Sequence, residues 1–144
     1  MDVSIQEFGR LVPDANYVLR PGGYVVITNS QGQIAVVSTP QGFFLPGGGQ
    51  ECGESPAEAA VRETLEECGL RVYIKGELGA ADELVFSAQE GKHLRKRCVF
   101  FIAELIGREE RRETDHDLVW MSSEDAISQL HHQSQTWAVM QASD

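Results

Sequence analysis

The sequence predicts a mixed α/β or α+β sandwich, on three observations. β-branched and alternating runs outnumber helical ones along the chain. One helix with clear signals at both ends interrupts them mid-chain, and a second helical pattern closes the sequence. Strands on both sides of a central helix need a sheet with helices packed on it. The 144 residues suit one domain, 1–144, with one core.

The elements follow in order. "GGYVVITNSQGQIAVVS" reads as a hairpin: Tyr24–Thr28 and Gln33–Ser38 flank the turn signal Asn29-Ser30-Gln31-Gly32. "GFFLPGGG" reads as a short apolar strand running into a glycine-rich loop. Ser55-Pro56-Ala57-Glu58 is a capping box with proline at the first helical position, and Gly69 stands where helices end. Strands are expected at Arg71–Lys75, Glu77–Phe86, Arg97–Leu105 and Asp117–Met121. "SSEDAISQLHHQSQTWAVMQA" is expected as one closing helix, capped by Ser122 or Ser123.

Net charge is −10, which argues against a general nucleic-acid or membrane-surface role. A small anionic substrate stays open, because a carboxylate-held cation reverses the local sign. No apolar run approaches the roughly 20 residues of a membrane helix, and the first residues lack a secretory pattern. Cys52, Cys68 and Cys98 are odd in number and widely spaced, which predicts reduced thiols in a cytoplasmic protein.

The central helix carries the chemistry. Ala57, Ala60, Val61, Thr64, Leu65 and Cys68 fall within an arc of roughly 140°, a core-facing stripe. Glu63, Glu66 and Glu67 crowd one flank of it. Like charges so spaced weaken a helix by a few tenths of a kcal/mol per pair. A solvated acidic face is the plain explanation. The glycine run Gly47-Gly48-Gly49 points elsewhere, since it lets backbone approach a ligand. A hard divalent cation, magnesium or manganese, would offset the repulsion through carboxylate oxygens.

Gly48, five residues, Glu54, seven residues, then Arg62-Glu63-Thr64-Leu65-Glu66-Glu67-Cys68-Gly69-Leu70 resembles the Nudix box. Every fixed polar and glycine position is matched. Thr64 is the one departure, where the family has an aliphatic residue; its methyl can pack and its hydroxyl can bond back to the helix. The resemblance implies an α/β/α sandwich around a mixed sheet. It also implies metal-dependent hydrolysis of a diphosphate linkage in a nucleoside diphosphate derivative or related polyphosphate.

The same resemblance makes Glu63, Glu66 and Glu67 metal ligands, adds the Gly48 carbonyl, and gives Glu66 and Glu67 catalytic roles. Arg62 and Glu54 become a structural pair tying loop to helix. A further carboxylate is expected from "RRETDHD", with Glu113 first and Asp115 second. The basic cluster "KHLRKR" offers Arg95 and Arg97 to substrate phosphates, or forms a solvated hairpin turn. Phe43 is the aromatic assigned to the substrate. Phe44, Trp120 and Trp137 are alternatives for stacking, and core packing suits most of them. The four histidines show no ligand spacing and read as surface or loop residues. A homodimer is left open. A competing function is a catalytically inactive Nudix domain that binds a nucleotide as a regulator, but such a domain would be expected to lose box glutamates. The box does not choose among nucleoside triphosphates, nucleotide sugars, dinucleoside polyphosphates and diphosphoinositol polyphosphates.

Overall fold

The computed structural model describes residues 5–110 and 116–143. Its elements run β1 (Gln6–Gly9), β2 (Tyr17–Ile27), β3 (Ile34–Thr39), β4 (Gly42–Phe44), β5 (Gly47–Gly49), α1 (Pro56–Cys68), β6 (Leu70–Ser87), β7 (Lys92–Arg108), β8 (Asp117–Met121), α2 (Ser123–Gln129) and α3 (Gln133–Ala142). A five-stranded sheet has the order β1-β6-β7-β2-β5, and a three-stranded sheet the order β4-β3-β8. The larger sheet is mixed: β1 runs parallel to β6 and β2 parallel to β7, while β6–β7 and β2–β5 are antiparallel.

Strand alternation divides the core. Val25, Ile27, Ala35 and Val37 face one side, where they pack with Ala60 and Cys68 of α1. Val26, Ile34 and Val36 face the other, against Ala126 and Leu130 at α2 and Ala138 and Val139 of α3. Helices therefore cover both faces, giving the expected α/β/α sandwich.

Three expectations change in detail. The hairpin keeps its turn: Asn29 Oδ1 accepts the Gln31 and Gln33 amides at 3.0 and 2.9 Å. Its arms nevertheless join different sheets and meet only at a Thr28–Ile34 bridge. The short apolar strand is formed as β4 on β3, but the expected glycine-rich loop beyond Leu45-Pro46 is itself an edge strand on β2. The closing helix breaks at Leu130, whose backbone is extended, with φ −60° and ψ 134°. There the His131 amide donates to the Phe43 carbonyl at 2.9 Å, which turns the chain out of the helix and against β4.

The predicted strands after α1 are longer than their sequence patterns. β6 runs unbroken through Gly76 and Gly79, with register shifts near both. The basic cluster lies within β7, not in a turn.

Candidate active site

The acidic helix is anchored at both ends as its sequence requires. The Ser55 hydroxyl accepts the Glu58 amide and the Glu58 carboxylate accepts the Ser55 amide. Gly69, at φ 68°, closes the last turn by donating to Leu65. The buried positions are Ala59, Ala60, Thr64 and Cys68. Leu65 is only half-buried and Ala59 fully so, which turns the covered arc toward the acidic flank. All three flank glutamates are consequently half-buried rather than solvated. The Thr64 hydroxyl donates to the Ala60 carbonyl at 2.7 Å, so the family departure leaves no unsatisfied group.

β5 lies directly beneath this flank. A Cβ on Gly48 would stand 2.8 Å from Glu63 Cδ, so only glycine lets that carboxylate lie on the strand. The Gly48 carbonyl oxygen itself passes close to Gly22, 2.6 Å from where a Cβ there would stand. The Gly47 amide donates to Glu67 Oε1 at 3.0 Å. Gly23 on β2 makes the approach of helix to sheet possible, since a Cβ there would fall 1.9 Å from the Pro56 carbonyl oxygen.

Arg62 ties these parts together. Its Nε and Nη2 donate to the two oxygens of Glu54 at 2.6 and 2.9 Å, and Nη2 also reaches the Gly49 carbonyl at 3.0 Å. Nη1 donates to Glu63 at 2.7 Å and, more weakly, to Glu66 at 3.4 Å. These hydrogen bonds hold the Glu54 carboxyl down at about 2, so it stays ionised across the physiological range. The fork geometry is specific to arginine. The Glu54–Arg62 pair expected from the sequence is thus formed, and it also orients Glu63.

Glu63 and Glu67 both line a cleft of about 480 Å³ with Gly47, Gly48, Tyr24 and His116. An adjoining cleft of about 700 Å³ shares Tyr24, Phe44, Glu63 and Lys96 with it. Together they offer space of the size that small-molecule sites occupy. The Tyr24 phenol is pushed up, first by burial and then by negative neighbours that include Glu67 and Glu63, so it remains a hydrogen-bond donor. Among the described residues, no three histidine, cysteine, aspartate or glutamate side chains converge closely enough to enclose an ion. The chemistry of the set still fits a hard divalent cation: three carboxylates on one helix flank, two of them open to the same cleft.

Of the residues expected at the substrate, the two arginines are held by carboxylates and the phenylalanine lies against the core. Arg97 donates Nε and Nη2 to Asp82 at 2.9 and 3.0 Å, and Arg95 bridges Asp82 and Glu7 at 3.1 and 2.7 Å. Neither lines either of these two clefts; Lys96 between them lines both. Phe43 packs on the core beside Leu130, while Phe44 lines both clefts. In each case strand alternation sends the neighbour to the opposite face.

His116, His131 and His132 lie in loop segments, as expected, and there His132 lines both clefts and His116 and His131 one each. His116 Nε2 stands 3.8 Å from Glu67 Oε2. Burial, with Lys96 and His131 nearby, lowers the His132 imidazole to about 4 and keeps it neutral. Glu113 and Asp115 lie outside the described residues. Cys68 and Cys98 are buried and Cys52 exposed, all as free thiols. No helix of the described residues is long and apolar enough to cross a membrane.

Known proteins share this fold. A NUDIX hydrolase from Nitrosomonas europaea superposes with a TM-score of 0.71 at 18% identity, over 88% of this chain and 89% of that one. A UDP-X diphosphatase superposes with a TM-score of 0.61 at 25% identity, over 92% of this chain and 68% of that one. These similarities define the class: a mixed-sheet α/β/α domain of the Nudix type. A family model described as NUDIX domain matches residues 18–141, and the chain belongs to that family. In sequence it is 36% identical over 92 residues to human diphosphoinositol polyphosphate phosphohydrolase 3-alpha. That match takes in 63% of this chain and 54% of the human protein, so the chain spans about half the length of the relative.

Proposed function

We propose that this chain is a divalent-metal-dependent pyrophosphohydrolase. Its substrate would carry a diphosphate linkage in a nucleoside diphosphate derivative or related polyphosphate. One observation carries the reading: Glu63 and Glu67, one turn apart on α1, line the same cleft against a glycine strand. The family membership and the phosphohydrolase names of its relatives support it.

In this reading Glu63, Glu66 and Glu67, with the Gly48 carbonyl, hold magnesium or manganese. A cation there supplies charge that neutralises the diphosphate and acidifies an attacking water. The chain's own residues do the rest. Arg62, fixed by Glu54, keeps Glu63 aimed at the cleft. The Gly47 amide fixes one oxygen of Glu67 and so orients the other. Glu66 and Glu67 assist water activation, and Glu113 is the proposed carboxylate from outside the helix. The partner is a small-molecule nucleotide or polyphosphate, not a nucleic acid or membrane, and the compartment is the cytoplasm.

Glu67→Gln tests the assignment, because it removes a charge while preserving shape. Turnover of a diphosphate substrate with magnesium should fall by orders of magnitude. The metal-free melting temperature should barely change. Wild-type activity that survives a chelator, or unfolding of the metal-free variant, would count against the proposal.

A further inference from the structure

Among the described residues, the larger cleft has few cations to spare. Arg20 donates through both terminal nitrogens to Glu90, at 3.1 and 2.5 Å. Arg62 is committed to Glu54, Gly49 and Glu63. Lys96 is different: among the described residues it has no carboxylate within ion-pair distance. Its cross-strand partner is Glu83, but that buried carboxylate accepts the Ser134 amide of α3 at 2.8 Å. Lys96 lines both clefts, where they meet beside Glu63.

The same junction is aromatic. Phe44 lies 5.4 Å from His131 and 5.2 Å from His132, and the two imidazoles are 5.1 Å apart between ring centroids. His132 is held neutral by burial, so it adds a ring face without adding positive charge. Phe86, 58% exposed, lines the cleft from the end of β6.

We propose that Phe44 with the two histidines, and Lys96 beside them, are specificity elements that select a nucleotide: the rings stack a nucleobase and Lys96 binds a phosphate. A densely phosphorylated inositol diphosphate, the kind of substrate named for the human relative, is disfavoured. Every extra phosphate needs a cation, and the described residues of the cleft supply one ammonium outside any ion pair, with its charge already felt by Glu90 and with Glu51 and Glu63 also lining the cleft. A base instead needs a ring face to stack on, which a single ring of this mutually tilted cluster can supply whatever the base's donors and acceptors. The inference rests on the hydrolase reading for where the diphosphate sits.

The test compares binding by calorimetry with turnover. Adenosine 5′-diphosphate should bind wild-type protein at least about ten-fold more tightly than inositol hexakisphosphate. Loss of one stacked base contact corresponds to roughly ten-fold in affinity. Phe44→Leu should therefore weaken adenosine 5′-diphosphate about ten-fold while leaving inorganic pyrophosphate unchanged, a control that a collapsed cleft would fail. The exposed His131→Ala should show a smaller loss of the same kind. Lys96→Met should weaken both ligands. With magnesium, ADP-ribose should exceed diphosphoinositol pentakisphosphate about ten-fold in kcat/KM. Tighter binding of the inositol compound, or unchanged nucleotide affinity in both Phe44→Leu and His131→Ala, overturns the inference. If neither substrate is turned over, the hydrolase reading fails, and the binding preference still decides this one.

Discussion

Gly48→Ala separates the site from the fold more sharply than removing a glutamate does. Gly48 has no positive φ, so alanine meets no backbone penalty there. What the new methyl meets is the end of a flexible side chain: Glu63 Cδ at 2.8 Å and Cγ at 2.9 Å. To restore a contact of 3.4 Å the carboxylate must retreat by about 0.6 Å, which a rotamer adjustment can supply. The fold should therefore lose no more than about 1 kcal/mol, or roughly 4 °C in melting temperature for a domain of this size. Catalysis should suffer far more, because misplacing a reacting group by about 1 Å can cost about 100-fold. We expect the maximal rate with magnesium to fall by about 10- to 100-fold. Gly23→Ala is the contrast. Its methyl would lie 1.9 Å from the Pro56 carbonyl oxygen, backbone against backbone, so α1 must lift from the sheet. That variant should melt well below the wild type. The assay is steady-state hydrolysis of a diphosphate substrate alongside a metal-free thermal melt. Full activity in Gly48→Ala would show that the position of Glu63 is unimportant. A melting loss as large as that of Gly23→Ala would show that Gly48 is structural.

Other expectations follow from the same geometry. Arg62→Ala and Glu54→Ala should be non-additive in activity and stability, since either alone dissolves the fork; additive losses would mean the two act independently. Because the Glu54 carboxyl is lowered from 4.5 to about 2, its contribution is complete above pH 4.5 and lost as pH falls toward 2. Acid titration of Glu54→Gln should lack that part of the stability slope. His132 works through its neutral form: lowered from 6.5 to about 4, it takes up a proton in the unfolded chain first. Stability should decline as pH falls from 6.5 to 4, and a His132→Gln variant with an unchanged slope would refute the assignment. Glu113→Gln should lower the maximal rate about ten-fold or more with little change in substrate affinity, as loss of a general base does; near-wild-type turnover would place that role elsewhere.

What could be read from the sequence and what could not divide along one physical line. The helix and its acidic face were legible because their signals are local: a capping box, a closing glycine and charges at fixed offsets along one axis. The Arg62–Glu54 pair was legible only through the family resemblance, since eight residues separate the partners and a chain reversal joins them. Strand faces were not legible in the same way. A period of two means that an error of one residue inverts every assignment, and a basic run such as Lys92–Arg97 carries no internal mark of which side faces the cleft. Asp82, on the neighbouring strand, decides it by taking Arg95 and Arg97, and nothing near residue 95 announces that partner. Phe43 and Phe44 are decided likewise by Leu130, which binds the first beside the core and leaves the second to the cleft. His132 reaches the cleft only because the closing helix breaks at Leu130, and that break is itself tied to β4 by the His131 amide. The proposed metal side of the site thus draws its carboxylates from one element, with only the Gly48 carbonyl added from β5, whereas the proposed substrate side is assembled from β4, β7 and the α2–α3 turn. Substitutions in those three elements can therefore change the substrate while leaving the box intact.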